Sequence, residues 1–236
     1  ALVVRANGTA AAPGTAAINV DGGGLAVQGI TLVSAAAFYD TPTGDSQGGN
    51  ASLNITGSGQ AILSGGLDIS ADGFGGLDGS GKATGDGRGG SASISVSGPG
   101  SALSGGNIQV HANGFAASPS SGSDVADTGG AGIGGNATIS VQNGGSLSTT
   151  AGLAAEANGF GGFGLIQSGG GTGGSALIEA SGNETTLQAG STAVVATGIG
   201  GGDFAFDPVA SALLPTLNGG DGRGGSATVR VSAHSL

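Results

Sequence analysis

Residues 89–115 read GGSASISVSGPGSALSGGNIQVHANGF, and the parsing of this stretch decides the fold. Gly89-Gly90 opens it. Ala92, Ile94 and Val96 then alternate with Ser93, Ser95 and Ser97, the period-two pattern of a half-buried strand. Leu103 is the apolar anchor of a second short segment. Ile108, Val110 and Ala112 alternate again in a third, and Ala112-Asn113-Gly114-Phe115 closes the stretch. Gly and Asn stand between the segments, where tight turns need positive φ. The parse is three short strands separated by turns.

The pattern recurs. GGNASLNIT starts at Gly48, GGNATISVQ at Gly134, GGSALIEAS at Gly173 and GGSATVRVS at Gly224. The closing motif returns as ADGF ending at Phe74, ANGF ending at Phe160 and ATGI ending at Ile199. Opening to closing is 27 positions each time, and a degenerate copy runs from Ala12 to Phe38. The expected organisation is a single unit over 1–236. It has coils 12–38, 48–74, 89–115, 134–160 and 173–199, and partial coils 1–9 and 224–236. Its glycine-rich inserts are 39–47, 75–88, 116–133, 161–172 and 200–223. A constant unit with a variable insert is the mark of a solenoid, whose insertions fall in loops on one face. Stacked strands would lie about 4.8 Å apart, with like residues over like. Phe38, Phe74, Phe115 and Phe160 are expected to form an internal aromatic ladder capped by Ile199. Asn7, Asp72, Asn113 and Asn158 are expected to stack at the turn before it. The second-segment anchors are Val27, Leu63, Leu103, Leu147 and Leu187. Because the chain starts and stops within a unit and lacks Met, a processed or excised segment, or a subunit completed by its neighbour, is expected.

Composition narrows the function classes. Gly accounts for 56 of 236 residues, which excludes a long-helix protein, and no apolar run reaches the ~18 residues of a membrane-spanning helix. The net charge is −10, and the cations are Arg5, Lys82, Arg88, Arg223 and Arg230. Phosphate neutralisation needs clustered Lys and Arg, so neither nucleic acid nor an anionic membrane is an expected partner. With no Cys, a disulfide framework and a Cys-based zinc site are excluded.

The GG[NS]A-x-[IL]-x-[VI] strands, the A[ND]GF turns and the Gly-rich inserts resemble the passenger regions of secreted bacterial surface adhesins of the autotransporter and filamentous-haemagglutinin type, over essentially the whole chain. The resemblance implies an all-β right-handed parallel β-helix, exported and exposed at the bacterial cell surface. Its partners would be a host or neighbouring-cell surface, or other copies of itself end to end. A second resemblance, through stretches such as GGAGIGG at 129–135, is to glycine-rich mycobacterial surface proteins, whose sequences fit the strict 27-residue unit less well.

The motifs that would carry chemistry are incomplete. The loop from Gly76 to Lys82 has Ala83 where a phosphate-binding loop needs Ser or Thr, and Gly159-x-Gly161-x-x-Gly164 is uninformative in so glycine-rich a chain. The calcium nonapeptide fails at its ligand: Gly224 and Gly134 stand where Asp is required. Asp40, Asp45, Asp78, Asp86, Asp203 and Asp207 leave calcium as the one cofactor still open; otherwise none is expected. Asp68, Asp72 and Glu156 lie near third segments, but Asp72 is expected to meet the neutral Asn113, and His111 and His234 to be lone surface histidines. No catalytic residue is assigned. Insert 200–223 carries Phe204, Phe206, Val209, Leu213 and Leu214, the candidate partner-contact group unless it folds back over the core. The expected function is a structural and adhesive rod. The alternatives are a self-assembling extracellular filament or matrix subunit and a carbohydrate-active β-helix enzyme.

Overall fold

The computed structural model describes residues 1–9, 11–39, 44–77, 84–117, 128–164, 167–202 and 219–232, and the backbone alone at 206–207 and 212–213. Among these residues every regular element is a strand, and all strand pairs but one are parallel. The first segments form a six-stranded sheet in the order Thr15–Asp21, Asn50–Thr56, Ser91–Ser97, Asn136–Gln142, Ser175–Ser181, Ser226–Ser232. Each repeat pairs with the next: Ala92 lies beside Ala51 and Ala137, Ile94 beside Leu53 and Ile139, Val96 beside Ile55 and Val141. All nine of these side chains are buried, while the serines between them point away from the core. Each fully buried Leu or Ile contributes about 2 kcal/mol of apolar transfer, so these columns supply the main cohesion.

Second and third segments share one nine-stranded sheet. Here two expectations are corrected. In the two later repeats the segments fuse into single strands, Ser146–Glu156 and Thr186–Val195, paired with a register shift between Thr149 and Gly152. Thr149-Thr150 replaces the Gly105-Gly106 of the preceding repeat, and β-branched residues favour the extended backbone that glycine leaves to a turn. The second-segment anchors also split into two rows. Leu103 aligns with Leu147 and Leu187, but its neighbour on the other side is Ala61; Leu63 aligns with Val27 and Gly105. Ala61 and Leu63 are two residues apart and face the same way, so the larger Leu63 fills the space over Gly105.

Two further five-stranded sheets consist of two-residue strands. One runs Ala37–Phe38, Gly73–Phe74, Gly114–Phe115, Gly159–Phe160, Gly198–Ile199; the other runs Ser46–Gln47, Gly87–Arg88, Gly132–Ile133, Gly171–Thr172, Gly222–Arg223. The second set falls within the expected inserts, so each insert ends in a strand. The two sheets meet back to back through their glycines. A Cβ on Gly73 would lie 2.0 Å from the Arg88 carbonyl oxygen, one on Gly87 2.0 Å from that of Phe115, and one on Gly132 2.1 Å from that of Phe160. At these glycines a side chain would collide with backbone, so the residue after each is turned outward; only in the first strand of each sheet does a small buried side chain, Ala37 or Ser46, take the glycine position.

This parity corrects the placement of the aromatic ladder. Phe38, Phe74, Phe115 and Phe160 do stack, with centroids 5.5, 5.2 and 5.0 Å apart and the last pair within 3° of parallel. The column stands on the outside, however: Phe38 and Ile199 at its ends are 54% and 50% exposed, and the rings between are half-buried.

Candidate functional site

The third segments place a polar row beside the aromatic ladder. Ser70, His111, Glu156 and Val195 are neighbours across consecutive strands, as are Asp68, Gln109, Ala154 and Ala193 one step earlier. His111 faces Ser70 directly and reaches diagonally to both sides. Its Nε2 lies 2.8 Å from Asp68 Oδ1 and its Nδ1 2.8 Å from Asp72 Oδ2. The first is a well-directed hydrogen bond; the second is a close ion pair whose N–H does not align on the oxygen. His111 is therefore not the lone surface histidine expected of it, but a bridge between two carboxylates of the preceding repeat.

Burial is the largest influence on the imidazole and pushes its pKa down. The hydrogen bond to Asp68, the close contact with Asp72 and the negative charges of both carboxylates together outweigh it and raise the pKa from 6.5 to about 10. At neutral pH His111 is an imidazolium. In that state it is neither a general base nor a metal ligand.

Asp72 belongs to a second pattern as well. Asp72, Asn113 and Asn158 are buried one above another. The Asn113 N–H donates to Asp72 Oδ1 at 2.7 Å, the Asn158 N–H to Asn113 Oδ1 at 2.8 Å, and the Thr197 N–H to Asn158 Oδ1 at 2.9 Å. Each side-chain oxygen thus satisfies a backbone donor of the next repeat at a point between short strands. The column stops at Ala36, which occupies the next position down and separates Asn7 from it. The Ser70 hydroxyl donates to the other oxygen of Asp72 at 3.1 Å, so this buried carboxylate has three polar partners.

A parallel column, not anticipated from the sequence, lies at the other short sheet. Asp45 Oδ1 accepts the Asp86 N–H and Asp86 Oδ1 the Ala131 N–H, both at 2.8 Å, while Asp86 Oδ2 pairs with Arg88 at 2.7 Å. Two of the aspartates weighed as calcium ligands are thus engaged with backbone. Among the described residues no group of three or more His, Cys, Asp or Glu side chains has a metal-holding arrangement.

A shallow cavity of about 290 Å³ opens beside the clamp, lined by Asp72, Phe74, Gln109, His111, Phe115 and Glu156 among others. Its phenyl rings cover one another's faces and offer mainly edges, which makes a poor stacking platform for a sugar ring. A hollow of about 450 Å³ over the turns at Asn143–Gly144 and Gly182–Glu184 has Glu184 as its one charged lining residue.

Of the candidate partner-contact group, Phe204, Val209 and Leu214 lie outside the described residues. Phe206–Asp207 and Ala212–Leu213 pair antiparallel through their backbones. Asp40, Asp78, Lys82, Ala83, Asp203 and His234 also lie outside the described residues. No helix among the described residues is long and apolar enough to cross a membrane. Comparison with protein-family models, with curated proteins and with solved structures finds no match to this chain.

Proposed function

We propose that the chain is one continuous segment of a right-handed parallel β-helix, acting as a structural and adhesive rod of a secreted protein at a bacterial cell surface. The observation that carries this reading is the pairing of each segment with its counterpart one repeat on, from Thr15–Asp21 through to Ser226–Ser232. A stack in which each repeat contacts only its neighbours resists bending and lengthens by addition of repeats, which suits a part that projects a binding surface away from a cell. The half-exposed ladder offers contact area to a host or neighbouring-cell surface, or to another copy of the chain. No cofactor is required. Purified chain immobilised on beads should retain cultured cells or bacteria over beads carrying a glycine-rich unfolded control. Equal retention on both removes the adhesive half of the reading, and particles without an elongated outline in negative-stain microscopy remove the rod. EDTA should leave the melting temperature unchanged, and a drop on chelation would assign calcium a place.

A second reading draws on one observation, the carboxylates of Asp72 and Glu156 beside a small cavity. It takes the site as a glycan-cleaving centre. Reducing ends released from a panel of acidic and neutral polysaccharides by the parent chain, and lost in Asp72→Asn, would establish it. Silence across the panel removes it.

A further inference from the structure

The geometry points to the Asp68–His111–Asp72 clamp as a lock that specifies which repeat stacks on which. This inference rests on the observed strand pairing and not on the adhesive reading. Repeats 48–74, 89–115 and 134–160 present nearly interchangeable faces to one another: Ala51, Ala92 and Ala137, then Leu53, Ile94 and Ile139, then Ile55, Val96 and Val141. Apolar burial is non-directional, and backbone ladders accept any strand of the same pattern, so neither distinguishes the correct neighbour from the next one along. Misassembly between like repeats is a characteristic failure of such chains.

The charged row breaks the degeneracy. Position 72 holds Asp where the repeats above it hold Asn113 and Asn158, and the carboxylate is buried. In the observed stack His111 supplies the opposite charge. Glu156 occupies the place of His111 one repeat on. If repeat 134–160 slipped down onto 48–74, Glu156 would stand where His111 stands and face Asp68 and Asp72 as a third carboxylate. If 89–115 instead paired with 12–38, His111 would lie over Ser34, with Leu32 and Ala36 in place of its two aspartates. Both slips leave a buried charge without its partner, the kind of penalty by which buried ionic groups set register.

The chain has no Cys, so introduced pairs report register without background. Ser52 and Ser93 are Cα partners, and neighbouring strands about 4.8 Å apart lie within disulfide reach. S52C/S93C reports the observed stack, and S52C/T138C reports the one-repeat slip. Each pair is placed in the parent and in D72N/H111Q, which removes the buried charge and its partner together, and refolded from urea under oxidising conditions. Removing the lock should lower the S52C/S93C disulfide yield at least threefold and make the S52C/T138C disulfide appear. H111K, which keeps a cation, should recover part of the native yield. An unchanged S52C/S93C yield in D72N/H111Q overturns the lock. So does a loss of that disulfide with no gain of the slipped one, because the clamp would then act only on stability.

Discussion

The aliphatic interior and the glycine seam belong to the same repeats and are held by opposite means. In the interior, Leu53, Ile94 and Ile139 fill the space between the long sheets with carbon. In the seam, Gly73, Gly87, Gly114 and Gly132 bring two short sheets so close that backbone carbonyls occupy the space of a side chain. The interior is sensitive to atoms removed, the seam to atoms added. Glycine at these positions is therefore a packing residue as specific as Ile94.

The strongest test of the interior is Ile94→Ala, which removes three carbons from a fully buried site flanked on both sides; a loss of about 4 kcal/mol in urea unfolding is expected. The matching test of the seam is Gly132→Ala, which adds one carbon. Its Cβ would meet the Phe160 carbonyl at 2.1 Å, a contact relieved only by separating the short sheets. The expected loss is about 3 kcal/mol. If Gly132→Ala costs less than a quarter of Ile94→Ala, the seam is loose and the contrast fails.

Next in size is the clamp. His111→Gln leaves Asp72 buried beside a neutral partner. Breaking a buried pair costs up to about 5 kcal/mol, but Asp68 is 38% exposed and partly screened, so about 2 kcal/mol is expected. The pH dependence has a definite sign. The folded pKa is raised, so the stabilisation is complete below about pH 6.5, where folded and unfolded states both hold the proton. It declines as the unfolded chain releases that proton and is gone once pH passes about 10. The difference in urea midpoint between parent and His111→Gln should therefore shrink from pH 6 to pH 10. A constant difference over that range would show that the imidazole is not held protonated.

That clamp marks where the sequence stops being legible. The alternation at Ala92, Ile94 and Val96, and the Gly-Gly that opens five of the six first segments, are local signals that point directly to the strands and to which of them pair. The clamp is diagonal: His111 faces Ser70 and reaches residues two positions to either side. Reasoning from residues directly opposite pairs Asp72 with Asn113, which is correct for the backbone hydrogen bond and blind to the neighbouring side chain. The outward position of the ladder is hidden from the sequence for a different reason. Burying scarce aromatic surface is a sound default, but the parity of Gly73-Phe74 is decided by the seam, whose closeness only the folded chain reveals. The strand that ends each of the four later inserts does carry a local signal: Gly87-Arg88, Gly132-Ile133, Gly171-Thr172 and Gly222-Arg223 all immediately precede the Gly-Gly pair.

The ladder offers a smaller test. Phe115 stacks on two rings but is half-buried, so Phe115→Ala should cost about 1–2 kcal/mol, well short of a buried phenylalanine. Phe115→Leu should recover part of this, because it restores apolar cover without the ring pairing. A loss as large as that of Ile94→Ala would place the ladder with the interior after all.

The smallest effect separates two reasons for using glycine. In the seam the reason is room; in the turns after the first segments it is backbone conformation. Ser58, Asn143 and Glu184 sit there with φ of 67°, 53° and 58°. Asn tolerates this left-handed region, whereas Glu is strained in it by about 1 kcal/mol. Glu184 is exposed, so its replacement creates no cavity. Glu184→Gly relieves the strain but gives the unfolded chain more freedom, which offsets about half of the gain. A net stabilisation of about 0.5 kcal/mol is expected, with Glu184→Ala near zero because alanine keeps the strain. A glycine that stabilises at position 184 and an alanine that destabilises at position 132 would show that conformation governs the turns and closeness governs the seam. Equal effects of Gly and Ala at position 184 would remove the conformational half of that distinction.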